Sequence, residues 1–470
     1  MGTPDEVRRW LAEHRDAMVE ELAEWVRIPS VAGPAEHEDD LARSAQWLAN
    51  ALTAIGFPSV EIWQRESTPT VWAEWIADPA APTALVYSHH DVRTAKAAQW
   101  RQCAPFEPVL HDGRLYGRGT SDAKGQVLAH LWALRACLAG RAAGPPVNLK
   151  LLVDGEEETG SPHLAELLDE HADRSSADLI VFSDTMTWSA EQPALCVGVR
   201  GLIKGELELR GARADLHSGA VSGAAPNAAE ALVRMLAGLH DEDGRVSLPG
   251  FYDDVREAPA DERDELARLT GDEREWLART GTSAVIGERD RSIGERLYTR
   301  PAAEVIALAA DDPDPPTRGA VPATASAQLQ LSLVPDQDPA AVTALLREWV
   351  AARVPTGFAH SLRVVEEISQ PPYATPLDHP AVPVLAGAMT DAWERAIPRM
   401  RNAGSGPAVL LAEKVGAPVL FFGTGLPEDR WHGPDESVDV ETLLTGAAAL
   451  ALFWPRLAER FAAGEFSPRR

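Results

Sequence analysis

The sequence predicts an α/β protein, with a mostly parallel sheet, into which a smaller α+β domain is inserted. Three observations predict this. Helical patterns alternate with short apolar runs over roughly the first 200 residues, the texture changes to half-exposed alternation near residue 203, and the first texture returns after Pro380.

Residues 7–28 and 38–55 carry helical periodicity, and the second run opens on Glu38, Asp39 and Asp40, acids suited to a helix N-terminus. The apolar runs are TALVYSHHD (83–91), VNLKLLVDGEEE (147–158) and DLIVFSD (178–184), each ending abruptly in acids or histidine. Such runs read as buried parallel strands, with helices such as 123–140 crossing between them. IKGELELRGAR (203–213) and ASAQLQLSLVP (325–335) alternate as half-exposed antiparallel strands do, and SLRVVEEI (361–368) adds another. Residues 225–240 and 340–354 read as helices, and the densely charged 252–296 as exposed helices. A helix at 380–394 and an apolar strand, APVLFFGTG (417–425), close the pattern. The main domain is therefore expected in two parts, 1–202 and 373–470, flanking an insertion at 203–372.

Composition narrows the classes. A chain of 470 residues suits two or more domains, and 45% hydrophobic with 24% charged residues excludes a disordered chain. The net charge of −27 repels phosphate backbones, so no nucleic-acid partner is expected. No run of ~18 apolar residues occurs, so no membrane span is expected. The first 30 residues show no apolar signal region, and Cys103, Cys137 and Cys196 make no disulfide framework. The expected compartment is the cytoplasm.

Ligands of open α/β sheets bind beyond the carboxyl ends of the strands. Those ends deliver His89 and Asp91, then Glu156, Glu157 and Glu158, then Asp184, and His432 from the loop after 417–425. Asp122, in GRGTSDAKG, precedes a helix facing the same rim. Histidines and carboxylates gathered at one edge are ligand chemistry for a dinuclear, zinc-type site, which handles hydrolytic displacements. Each residue alone also has a plainer reading. A strand-terminal acid caps a helix or meets solvent, His89 fits a core, His432 a surface, and three glutamates a solvated face. Separate strand ends converging with the same ligand type favour the metal site. Competing motifs fail: GRGTSD lacks the third glycine of a dinucleotide loop, neither a P-loop nor H-E-x-x-H occurs, and NAGSGPA around Ser405 does not meet G-x-S-x-G.

Taken in order, SHHD, GRGTSDAKG, GEEETGS, FSD, DLHSG, GFYDDV and WHGPDE resemble the motifs of the M20 metallopeptidases, closest to their carnosinase-like dipeptidase branch, from about residue 20 to 455. The resemblance implies two divalent ions per subunit, with zinc the default and manganese or cobalt compatible. His89 would bind one ion and Asp91 would orient it, while Asp122 would bridge both ions. The pattern E-E-x-G-S fits Glu157-Glu158-Thr159-Gly160-Ser161, making Glu157 the general base and Glu158 a ligand, with Glu156 outside the motif. Asp184 would complete the site of His89, and His432 that of Glu158. Four carboxylates, Asp122, Glu157, Glu158 and Asp184, would balance two divalent ions. His217 would stabilise the oxyanion, reaching into a partner's site across a homodimer built by the inserted lid or dimerisation domain. The resemblance also implies a cis peptide bond between Asp122 and Ala123.

His379, Ser332, Arg401, Asn402 and Ser405 fall where the branch binds substrate, and two of them depart from its pattern. Ser332 stands where those dipeptidases carry an arginine for the substrate carboxylate, and Arg401-Asn402-Ala403-Gly404-Ser405 replaces R-E-G-G-S. Arg318 and Arg401 are the candidates to replace the lost arginine's contact from another direction. The expected function is metal-dependent hydrolysis of a peptide-type amide bond in a small dipeptide-like substrate. The alternative is a deacylase or amidohydrolase acting on an N-acyl amino acid or a specialised amide metabolite. The complete ligand set and base argue against a catalytically inert binding protein.

Overall fold

A computed structural model describes residues 3–66, 68–139, 144–310, 319–366 and 369–464. Arg318 lies outside the described residues. The chain divides into two units: Met1–Gly198 with Thr375–Asn402 and Pro407–Arg470, and Val199–Ala374 with Ala403–Gly406.

The first unit is built on a six-stranded sheet. Its order is Ser59–Arg65, Thr68–Trp75, Asn148–Asp154, Thr83–His89, Leu179–Phe182 and Val419–Phe421. The first two pairings are antiparallel and the other three parallel. Parallel strands deliver their carboxyl ends to one edge, which is how His89, the last residue of its strand, comes near residues 156–158 and Asp184. Asn148–Asp154 is buried along its whole length, as expected of a strand covered on both faces.

Helix Lys124–Leu138 is buried almost throughout, so its sequence shows no polar face. It packs in one core with Trp25, Leu48, Val86, Leu151, Val181, Leu450 and Phe453. Buried Lys124 donates from Nζ to the carbonyls of Trp25 (3.1 Å) and Ile28 (2.8 Å), which anchors the start of that helix beside the site. The amino-terminal helical run is two helices, Pro4–Glu13 and Arg15–Val26. The break falls at His14, whose ring nitrogen lies 2.7 Å from the Trp10 carbonyl oxygen.

The second unit carries an antiparallel sheet in the order Ala302–Ala310, Thr324–Leu333, Gly201–Arg210 and Ala359–Val364. Ile203, Leu207, Leu209, Leu329, Leu331 and Leu333 fill its inner face, with helices Ala228–Leu236 and Pro339–Arg353 contributing to the same core. The charged stretch forms helices Ala260–Thr270, Glu273–Thr280 and Ile293–Tyr298. These are not wholly exposed: Leu266, Leu269 and Tyr298 are buried, and Arg300 pairs with Glu288 inside the unit. Among the described residues, no helix is long and apolar enough to cross a membrane.

Candidate metal centre

Two groups of ligand-type side chains share one residue. His89, Asp122 and Asp184 form one, and Asp122, Glu158 and His432 the other, with the ligand atoms of each group within 4.8 Å of one another. Asp122 divides its oxygens between them, with Oδ1 3.2 Å from His89 Nε2 and Oδ2 3.0 Å from His432 Nε2. Asp184 Oδ1 lies 3.6 Å from His89 Nε2, and Glu158 Oε2 lies 3.2 Å from His432 Nε2.

Neighbouring groups orient these candidate ligands. His89 Nδ1 lies 3.0 Å from the Asp91 carbonyl oxygen and 3.2 Å from Asp91 Oδ1, both acceptors. The ring proton therefore belongs on Nδ1, and Nε2 presents a lone pair to the centre. The next residue, His90, points away and bonds through Nε2 to the Pro69 carbonyl at 2.9 Å, as alternation along an extended chain requires. The Asp91 carboxylate also accepts the backbone N–H groups of Glu157 (3.2 Å) and Glu158 (3.0 Å), fixing the loop after its neighbouring strand. Glu156 is turned elsewhere, accepting the His163 N–H at 2.7 Å and lying 2.9 Å from His163 Nδ1.

Asp122 sits between two loops joined by buried Glu436. Its Oε1 accepts the N–H groups of Gly119 (3.0 Å), Ser121 (3.2 Å) and Asp122 (3.1 Å), and its Oε2 takes Arg118 Nη1 at 2.5 Å. Arg118 Nη2 then donates to the carbonyls of His432 and Gly433. Gly119 has φ 89°, and a Cβ there would come within 2.7 Å of Val92 Cγ1, so glycine is required. His432 itself has φ 63°, a left-handed conformation that persists because these bonds over-determine its loop. The Asp122–Ala123 peptide bond is cis. Glu436 and Arg118, which brace these two loops, are not singled out by the sequence, where the only signal is their proximity to the recognised motifs.

The electrostatics are those of a site short of positive charge. Burial and neighbouring carboxylates push Glu157, Glu158 and Asp184 above their usual range. Burial alone would lower His89, but Asp184, Asp122 and Asp91 hold it well above its ordinary value. Hydrogen bonds to Asp122 and Glu158 raise His432 to about 10. Burial opposes ionisation of Asp122, yet His432 and His89 keep its carboxyl low. The cluster thus recruits protons where cations are wanted. His89 Nε2, Asp122 Oδ2 and Asp184 Oδ1 are buried and meet only one another and His432, none of them in well-formed hydrogen-bond geometry, as atoms that would face an ion do. His and carboxylate donors of this kind fit two divalent ions.

The other expected site residues belong to other elements of the chain. His379 stands at the start of helix Ala381–Trp393, its Nδ1 accepting the Ala381 N–H at 3.3 Å. Arg401 and Asn402 end the half-buried strand Arg399–Asn402. Ser332, Ser405 and His217 belong to the second unit. Ser332 is half-buried in its strand, opposite Ala302 and Leu202, while His217 is exposed and its Nδ1 accepts the Gly219 N–H at 3.3 Å.

Residues 85–456 match peptidase family M20/M25/M40. The chain is 30% identical to a cysteinylglycine-S-conjugate dipeptidase of Corynebacterium striatum, over 94% of this chain and 96% of that protein. It is 26% identical to the human beta-Ala-His dipeptidase, over 97% and 93% of the two chains. The fold superposes on human carnosine dipeptidase 1 with a TM-score of 0.82 at 25% identity, covering 97% and 99% of the chains. The dipeptidase Dug1p of Saccharomyces cerevisiae gives the same TM-score at 21% identity, covering 97% and 98%. A shared carboxylate between two ligand groups, at the carboxyl edge of this sheet, and a match across most of the chain lead to one conclusion: the protein is a metallohydrolase belonging to peptidase family M20/M25/M40.

Proposed function

We infer that the protein hydrolyses the amide bond of a small dipeptide-like substrate at a centre of two divalent ions, zinc by ligand preference, with manganese or cobalt compatible. The observation that carries this is Asp122, which offers one oxygen to each of two ligand groups. His89 and Asp184 would hold one ion with Asp122, and Glu158 and His432 the other. Bound there, such ions supply Lewis acidity and bring the pKa of a coordinated water toward neutrality.

The protein's own groups do the rest. Glu157, fixed through its backbone by Asp91, would take the proton of the attacking water and deliver it to the leaving nitrogen. Burial raises its carboxyl, which suits a group that must first accept and then donate. His217 accepts a backbone N–H at Nδ1, so its neutral ring carries the proton on Nε2 and could donate to the tetrahedral oxyanion. We assign that role to His217 of a second copy, in a homodimer formed through the inserted domain. Edge strand Ala302–Ala310 supports this reading, because it exposes Val305, Ile306 and Leu308 along a side that no other described strand pairs with. Among the described residues Cys103, Cys137 and Cys196 form no disulfide, which agrees with a cytoplasmic enzyme.

Ser332 and Asn402 favour a second reading, a deacylase or amidohydrolase that cleaves an N-acyl amino acid or a specialised amide. His379, Arg401 and Ser405 would line the substrate pocket in either case. Metal-reconstituted protein assayed against free dipeptides, N-acyl amino acids and simple amides separates the two, and chelation should abolish turnover of whichever is cleaved. Full activity in the chelated protein would refute the metal-dependent mechanism.

A further inference from the structure

A cation touches the metal centre that none of the roles above employs. Arg93 follows Asp91 by two residues, and its Nε lies 2.6 Å from Glu158 Oε2. That oxygen is also the one 3.2 Å from His432 Nε2, so Arg93 stands on the Glu158–His432 side of the centre. The Arg93 side chain is 48% exposed while that of Glu158 is 4% exposed. The guanidinium thus sits with Nε against a buried carboxylate on a side chain that is itself about half exposed, and among the described residues no other protein partner meets it.

We propose that Arg93 is the specificity-determining residue that reads a substrate carboxylate beside the metal centre. The terminal amino groups of an arginine match the two oxygens of a carboxylate, and anchoring Nε removes much of the side chain's freedom beforehand. A local cation also answers a problem of the whole molecule, because a surface of net charge −27 repels anions unless the site itself attracts them. The proposal rests on the amide-hydrolase reading, and it names the substrate class: amides bearing a carboxylate that reaches the Glu158–His432 side. That carboxylate could terminate the leaving amino acid or sit on the acyl half.

Three compounds decide it: L-alanyl-L-alanine, its C-terminal carboxamide, and N-succinyl-L-alaninamide, charged on the acyl side. Binding is measured by calorimetric titration into metal-loaded Glu157→Gln protein, with Arg93 and with Arg93→Gln, while turnover is measured in the native metal-loaded protein. With Arg93 present, one of the charged compounds should bind about 10- to 100-fold more tightly than the carboxamide, the size expected of a charge-assisted pair. Which one does so identifies the half that carries the carboxylate. Arg93→Gln should shrink that preference to about threefold or less, and Arg93→Lys should restore part of it. Parity of all three compounds with Arg93 present, or a preference that survives Arg93→Gln, overturns the proposal. So does an equal loss for all three accompanied by loss of metal, since Arg93 would then act only on Glu158. Native protein that turns over none of the three counts against the amide-hydrolase reading, and the binding series still judges Arg93 separately.

Discussion

Asp91 holds Glu157 by the backbone: the Glu157 N–H donates to Asp91 Oδ1 at 3.2 Å, while Oδ2 takes the Glu158 N–H at 3.0 Å. The same carboxylate lies against His89 Nδ1. One side chain therefore orients a proposed ligand, the proposed base and a second proposed ligand at once. Asp91→Asn keeps the shape but puts an amino group where an acceptor is needed, leaving one N–H unsatisfied. Metal affinity, measured by competition with a chelator, should fall about 10- to 100-fold. An affinity within twofold of the native value would show that the shared carboxylate does not organise the ligands.

Three consecutive glutamates should behave differently when each becomes glutamine. Glu157→Gln should keep both ions and lose at least the ~10²–10⁴-fold a positioned base contributes. Glu158→Gln should lose metal content, because it removes charge from the group shared with His432. Glu156→Gln should stay within about tenfold of native turnover, since Glu156 engages His163. Elemental analysis beside steady-state kinetics reads all three. If Glu156→Gln is the inactive one with full metal content, the assignment is shifted by one residue.

These roles were legible in the sequence to unequal degrees. His89, Asp184 and residues 156–158 stood out because an apolar strand that stops on a charged group advertises a sheet edge. Glu436 and Arg118 did not stand out, because they act on backbone N–H and carbonyl groups that leave no pattern of their own. Strand Ala302–Ala310 was missed for a different reason: AAEVIALAA is rich in the strongest helix former, and only pairing with Thr324–Leu333 makes it extended. The hairpin Ser59–Arg65 and Thr68–Trp75 was also missed, since Glu61, Gln64 and Arg65 interrupt its apolar pattern. Arg93 was passed over because nothing in HHDVRTA announces that its side chain folds back onto Glu158.

Asp154 should set part of the pH dependence of stability. Burial, with the nearby charges of Asp91 and Glu156, raises its carboxyl from 3.8 to about 7. Between those values the folded state keeps a proton that the unfolded chain releases, so stability falls as pH rises through this window. Above about 7 the whole penalty is present. Asn at this position can still accept the Gly155 N–H, as Oδ1 does at 2.8 Å, and its amino group can donate to Ser161, whose hydroxyl now lies 2.7 Å from Oδ2. Asp154→Asn should match native stability near pH 4 and exceed it at pH 8. Denaturant titrations at the two pH values test this, and a variant less stable at pH 8 than native would refute it.

The proposed dimer makes a prediction about His217 that neither variant alone can test. Every proposed metal ligand lies in the first unit and His217 in the second. If His217 serves the partner's centre, His217→Ala and Glu157→Gln should each be nearly inactive as homodimers. In a heterodimer, the centre with intact Glu157 would receive an intact His217 from the other subunit, while the second centre would lack both. Random exchange in an equal mixture makes half the dimers mixed, so activity should recover to about one quarter of native under C2 symmetry. If His217 instead serves its own chain, each centre of the heterodimer lacks one group and nothing is regained. The measurement is specific activity against time after mixing, with subunit exchange followed independently by a mass tag on one variant. Complete exchange without recovery would remove His217 from the partner's site.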